Sequence, residues 1–185
     1  KLTVATSPDF APYEFYAIGE DGTPKLAGFD MDLAQYIADY LGLELEVVTV
    51  DFDGVISELQ TKSVDLGMAG LSPDEKRMGI MDFSDLYYMG GQSLVTVKDN
   101  AEKYNSFEAI NKPDVSVGAQ VGSIQMDLAN ENSPEADIVG LPKVTDIISE
   151  LLTGKMDAAY IETDVAKSYQ KNYPELELVL EVPYE

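Results

Sequence analysis

Short apolar runs alternate with amphipathic stretches along the whole chain. LTVAT (2–6) reads as a buried strand, and SPDFAPYEF after it as a stiff loop that mixes prolines, acids and aromatics. After a turn at Glu20, Asp21 and Gly22, the segment FDMDLAQYIADYLG places Leu33, Ile37 and Leu41 on one helical face, with Asp30 positioned to cap its start and Gly42 to end it. Strand LELEVVTV (43–50), a capped helix from Asp53 to Gln60 and strand DLGMAG (65–70) follow. Strands and helices therefore alternate as in a doubly wound α/β lobe.

The second half repeats this order, with VSVGA (115–119), the loop QVGS, helix SIQMDLANE, strand ADIVGL (136–141), helix TDIISELLTG and strand AAYI. VISELQTKSVDLGMA (55–69) and IISELLTGKMDAAYI (147–161) align without gaps and pair Ile56 with Ile148, Ser57 with Ser149, Glu58 with Glu150, Leu59 with Leu151, Thr61 with Thr153 and Asp65 with Asp157. Each copy describes a helix, a tight turn and a buried strand, so two lobes are expected. GGQSLVTVKD (90–99) reads as a crossover strand and LELVLEVPYE as a return toward the first lobe. The expected division is 1–89 plus 180–185 for the first lobe and 90–179 for the second, joined by a hinge of two strands.

Composition narrows the chemistry. The 34 acids outnumber the 12 Lys plus Arg and give a net charge of −22 in 185 residues. That charge repels phosphate backbones and anionic membrane surfaces, so no nucleic-acid partner is expected. The chain has no Cys and no His, which removes thiolate nucleophiles, imidazole bases and the commonest zinc or copper ligands. No metal and no other cofactor is expected. No apolar run is long enough to span a bilayer, and the chain opens directly on a strand, so any signal peptide is expected to have been removed.

Ligands of open α/β sheets bind at the carboxyl ends of strands. The loops at those ends here are 7–15, 51–54, 70–77, 120–124 and 162–164. In GLSPDEKR, Ser72, Pro73 and Glu75 form an S-P-x-E helix start, and Arg77 lies one turn in. Arg77 is the only arginine; beside exposed backbone N–H groups it reads either as a bidentate carboxylate clamp or as a surface ion pair with Asp82 or Asp85. Phe10, Tyr13, Phe15 and Phe52 read as core or as site, with Phe10 favoured as an exposed ring over a ligand because it lies in a Pro-bounded loop. Glu162 follows AAYI and reads as an ammonium acceptor or as a carboxylate in the first turn of a helix.

Catalytic constellations are weak. Ser168 and Lys171 give a formal S-x-x-K without companions, and Asp51 and Asp53 are acids without a calcium-loop continuation. Neither phosphate-cradling glycine motif occurs, so no catalytic residue is assigned.

ATSPDFAPYEF, GFDMDLAQYIADYLG, DFDGVISELQTKSVDL, AGLSPDEKR, MDFSDLYY, VGAQVGS and MDAAYIETDVAKSY together resemble the polar amino-acid subfamily of bacterial solute-binding proteins that feed ABC importers. The resemblance covers essentially the whole chain. It implies the type II periplasmic binding protein fold, two doubly wound α/β lobes with a two-strand hinge that closes on one amino acid. It further implies that Phe10 and Phe52 sandwich the ligand, Arg77 clamps its α-carboxylate, and Ser72 with the Gly70 backbone adds hydrogen bonds. Gln120, Gly122 and Ser123 would complete the pocket, and Glu162 stands where the family usually has an Asp for the α-ammonium. Ser7 stands where binders of cationic side chains often carry Asp, which points away from a strict Lys or Arg binder.

The family also continues past a segment like EVPYE with elements that finish the first lobe, so part of that lobe's core is expected to be uncovered. The implied setting is a monomer, free in a periplasm or a cell-surface lipoprotein, delivering a free amino acid to an ABC importer permease. A sensor ectodomain and a cyclohexadienyl dehydratase-like enzyme are the alternatives on the same fold.

Overall fold

The computed structural model describes residues 1–184; Glu185, assigned above to the first lobe, lies outside the described residues. The chain divides into two compact units, 1–87 and 88–185.

The first unit is built from β1 (Leu2–Thr6), β2 (Asp9–Phe10), β3 (Glu14–Ile18), β4 (Pro24–Ala27), α1 (Phe29–Leu41), β5 (Leu45–Thr49), α2 (Phe52–Gln60), β6 (Leu66–Gly67) and α3 (Glu75–Met78). β1 is the centre of a parallel sheet ordered β5-β1-β6, with Leu2 opposite Leu45 and Val4 opposite Leu66. The stretch read as a plain loop instead folds into a small antiparallel sheet ordered β2-β3-β4. Its first strand is two residues long, too short to leave an alternating pattern in the sequence.

Helix α1 departs from its expected face. Met31, Ala34 and Ala38 are buried, Leu33 and Ile37 flank them, and Leu41 is exposed, because the small alanines let the helix axis approach the sheet. Asp30 does not cap this helix either; the N-cap is Gly28, with no side-chain capping bond, and Asp30 is buried. Gly42 does end the helix in the left-handed conformation, as expected. An apolar groove that includes Leu33, Ile37, Leu66, Met68 and Phe83 opens on this unit.

The second unit contains β7 (Gln92–Val97), a 3-10 turn (Lys98–Asn100), α4 (Phe107–Ile110), β8 (Ser116–Gln120), α5 (Ile124–Asn132), β9 (Asp137–Leu141), α6 (Val144–Thr153), β10 (Ala158–Glu162), α7 (Thr163–Asn172) and β11 (Leu176–Val182). One five-stranded sheet, ordered β11-β7-β10-β8-β9, carries them. Its core gathers Leu94, Ile110, Val117, Leu128 and Tyr160. β11 pairs antiparallel with β7 as far as Val182 opposite Gln92, so residues 180–182 stand in this sheet and not with the first unit as expected.

The internal repeat has a structural counterpart in β1-α1-β5-α2-β6 and β8-α5-β9-α6-β10. The sheet orders β5-β1-β6 and β9-β8-β10 correspond strand for strand. Asp65 accepts hydrogen bonds from the Thr3 N–H (2.8 Å) and hydroxyl (2.7 Å), and the Asp65 N–H donates to the Thr3 carbonyl (2.9 Å). Asp157 accepts from the Ser116 N–H (2.9 Å) and its own N–H donates to the Ser116 carbonyl (3.0 Å). The Thr61 and Thr153 hydroxyls likewise donate to the carbonyls of Ser57 (3.0 Å) and Ser149 (2.9 Å). The repeated residues thus close each helix and pin each following strand to the start of its parallel neighbour.

Candidate functional site

One candidate cluster lies on the unit 1–87. Phe52 opens α2 and is buried, and the Arg77 guanidinium carbon stands 5.7 Å from its ring centroid. That spacing is within cation–π range. Arg77 is only 5% exposed, so the chain's single guanidinium is held inside and not out on the surface. Its Nη1 donates to the Ser72 carbonyl (2.7 Å), and its Nε is 3.5 Å from Asp74 Oδ2.

The cap of α3 is Asp74, whose carboxylate accepts the Arg77 N–H at 2.7 Å. Ser72 therefore does not cap that helix as the S-P-x-E pattern implied; the Asp74-to-Arg77 spacing is the correct capping signal. Ser72 contributes its carbonyl to orienting the guanidinium.

Gly70 turns the chain after β6 with φ +60, and a Cβ there would lie 2.8 Å from Phe10 Cε1. Only glycine meets both conditions at once. Phe10 stacks on Tyr13 at 5.7 Å between centroids and is 6% exposed, so it is packed against the Gly70 turn and is not the open ring expected from its loop. The Ser7 hydroxyl donates to Asp9 Oδ1 at 3.1 Å, which fixes a carboxylate next to it.

A separate candidate cluster lies at the carboxyl edge of the sheet in 88–185. Gln120 ends β8 and its Nε2 donates to the Pro142 carbonyl (3.1 Å). Gly122 follows with φ +76, and the Ser123 hydroxyl donates to the Gln120 carbonyl (2.6 Å) while accepting the Met126 N–H (3.2 Å) as the cap of α5. β10 runs parallel to β8, Ala158 opposite Val117, which brings Glu162 level with the Gln120 to Gly122 turn. Glu162 is buried, and its oxygens accept the N–H groups of Asp164 (3.2 Å) and Val165 (3.0 Å) at the start of α7. Glu162 is thus the N-cap of α7, one residue before the first turn in which it was expected to sit.

Two residues escaped sequence reasoning. Asp30, taken for a cap, accepts the Gly70 N–H (3.0 Å) and the Tyr87 hydroxyl (2.7 Å) on its two oxygens. Glu14 lies fully buried on β3, where burial, and then the nearby Asp30 and Asp9 carboxylates, push its carboxyl well above the usual range. No periodicity marks a buried acid in a polar loop. Among the described residues no group of acids forms a metal site, and no helix is long and apolar enough to cross a membrane.

Residues 2–176 match the profile of the bacterial extracellular solute-binding proteins, family 3. The arginine-binding extracellular protein ArtP of Bacillus subtilis is 35% identical over 179 residues, which are 96% of this chain and 67% of that protein. The amino acid ABC transporter substrate-binding protein AbpA of Streptococcus pneumoniae, solved bound to L-arginine, superposes with a TM-score of 0.92 at 36% identity, over 96% of this chain and 74% of that one. The cyclohexadienyl dehydratase of Pseudomonas aeruginosa is 29% identical, over 95% of this chain and 64% of that enzyme. The chain thus spans about two thirds of the length of the curated relatives it matches. Its fold is that of the type II periplasmic binding proteins.

Proposed function

Because the chain belongs to family 3 of the bacterial extracellular solute-binding proteins, we propose that it is an extracytoplasmic receptor for a free amino acid, serving an ABC importer. The observation that carries this reading is Arg77, a buried guanidinium laid on the Phe52 ring and aimed by the Ser72 carbonyl, on the short helix α3 that follows the carboxyl end of β6. A planar donor fork held in that way is built for a carboxylate. Gly70 and Ser72 supply polar backbone beside it, with Phe10 and Phe52 as apolar walls. Gln120, Gly122, Ser123 and Glu162 act from the second unit, Glu162 on the ammonium.

On this reading the protein closes on one free amino acid. A ligand moves a conformational equilibrium only by its difference in affinity for the two states, and a swing from about 1:99 to about 99:1 takes roughly 5.5 kcal/mol. Two to three charge-assisted hydrogen bonds at roughly 1.5–3 kcal/mol each supply that.

Arginine is the first candidate, since ArtP is named for binding it and AbpA was solved with it. Ser7, which pointed away from a cationic ligand, is hydrogen-bonded to Asp9, so a carboxylate lies beside that position after all. A direct test removes the ligand's own carboxylate charge. L-arginine should bind while L-arginine methyl ester fails to, and Arg77→Met should abolish binding of the free acid while leaving the circular dichroism unchanged. Retained affinity in a folded Arg77→Met protein would refute the carboxylate assignment.

The dehydratase relative supports a second, weaker reading, in which Glu162 donates a proton. Here both Glu162 oxygens serve α7, which favours binding over catalysis. Turnover of prephenate or arogenate by the purified protein would decide for the enzyme.

A further inference from the structure

We propose that Glu14 and Asp30 share one proton in the interior of the first unit, and that this pair is a positioning device for the Gly70 to Arg77 loop. The consequence for ligand rests on the reading that this loop receives a carboxylate.

The geometry begins at Gly28. A Cβ there would lie 2.2 Å from the Tyr13 carbonyl oxygen, and the backbone has φ +122, so glycine alone lets the start of α1 press onto the start of β3. The Phe29 and Asp30 N–H groups then donate to the carbonyls of Pro12 (3.0 Å) and Tyr13 (2.9 Å). That docking buries Glu14 and Asp30, both fully inaccessible, in one place.

The two acids are in different situations. Asp30 uses both oxygens as acceptors, for the Gly70 N–H and the Tyr87 hydroxyl, which is the work of an ionised carboxylate. Neither Glu14 oxygen receives a hydrogen bond. A buried carboxylate without a donor is costly, whereas a protonated carboxyl is itself a donor, and Asp30 is the acceptor beside it. The groups that face Glu14 are Asp30 from α1, Asp9 from β2 and Tyr87 from the segment after α3. None of them is a cation, and Asp30 and Asp9 are carboxylates, so the only charges an ionised Glu14 meets there are like charges. The Tyr87 hydroxyl is pushed up as well, by burial and then by Asp30, which keeps it a donor.

Asp30 is the link to function. It holds the Gly70 amide, and Gly70 begins the turn that carries Ser72 and Arg77 and leans on Phe10. Ionising Glu14 would place two adjacent buried carboxylates in the α1/β3 junction and loosen that tether. Glu14 and Asp30 are positioning residues; neither touches the ligand.

The test follows the side-chain carboxyl carbon of Glu14 and the Gly70 amide by NMR, from about pH 5 to about pH 9, in the wild type, Glu14→Gln and Asp30→Asn. Glu14 should stay protonated through neutral pH, and the Gly70 amide shift should follow its titration in the wild type and stay flat in Glu14→Gln. A Glu14 that titrates in the ordinary carboxylate range, or a Gly70 amide that ignores it, overturns the proposal, and neither reading needs ligand. Should Asp30→Asn not fold, the Glu14→Gln comparison still decides.

Titration with L-arginine over the same range should show affinity falling roughly tenfold as Glu14 ionises, the scale of one lost hydrogen bond, with no such fall in Glu14→Gln. Equal pH profiles in the two proteins would overturn the link to binding. Absence of arginine binding to the wild type at every pH would count against the receptor reading instead, leaving the NMR result to judge the shared proton.

Discussion

At the scale of single residues, the proposed carboxylate site depends on a few positions that have no interchangeable neighbours. Gly70 combines a positive φ with the approach of the Phe10 ring to where a Cβ would be. Gly70→Ala should therefore destabilise the first unit by about 1–3 kcal/mol, through backbone strain and displacement of Phe10, measurable as a lower denaturation midpoint. An unchanged midpoint would mean that the turn relaxes freely and that Phe10 is not locked against it. Sequence reasoning singled out Arg77 by its rarity and Gly70 and Phe52 by the family pattern. It could not see that Asp30 turns inward, because an acid at the start of a helix has the same spacing whether it caps or is buried. Glu14 was equally invisible, since burial of a charge is decided by what α1 and β3 do together and not by any local signal.

Elements were more legible than residues. The alternating strands and helices, and above all the repeated ISEL-T pattern, follow from periodicity that every amphipathic helix must obey. What periodicity does not specify is which face wins when small residues compete with large ones, and α1 buried its alanines. The hairpin sheet was missed because two-residue strands have no period.

Asp65 supplies a prediction at this scale. Hydrogen bonds from the Thr3 backbone, then from its hydroxyl, hold the Asp65 carboxyl below its ordinary value. A depressed acid stabilises the fold above its unfolded pKa and loses that contribution as pH falls toward its folded one. Asp65→Asn should thus narrow the difference in thermal midpoint between neutral and acid pH, by a small amount because the group is exposed. Glu14 has the opposite sign. Its raised value means that the folded state holds a proton the unfolded state releases, so its contribution fades as pH rises above the ordinary carboxylate range, and Glu14→Gln should remove that slope. If the two variants changed the pH profile in the same direction, one of these assignments would be wrong.

For the whole molecule, the central claim is that this solute-binding protein receives one free amino acid, with the buried Arg77 guanidinium proposed for its carboxylate. Calorimetric titration of the ligand-stripped protein with each of the common amino acids tests it most directly, since the chain has no Trp to report binding by fluorescence. Arginine or a few polar amino acids should bind with micromolar or tighter affinity, about −8 kcal/mol or better, and raise the unfolding temperature with the logarithm of their concentration once it exceeds Kd. Heat signals at the level of buffer for every amino acid, in a protein that unfolds cooperatively, would contradict the account.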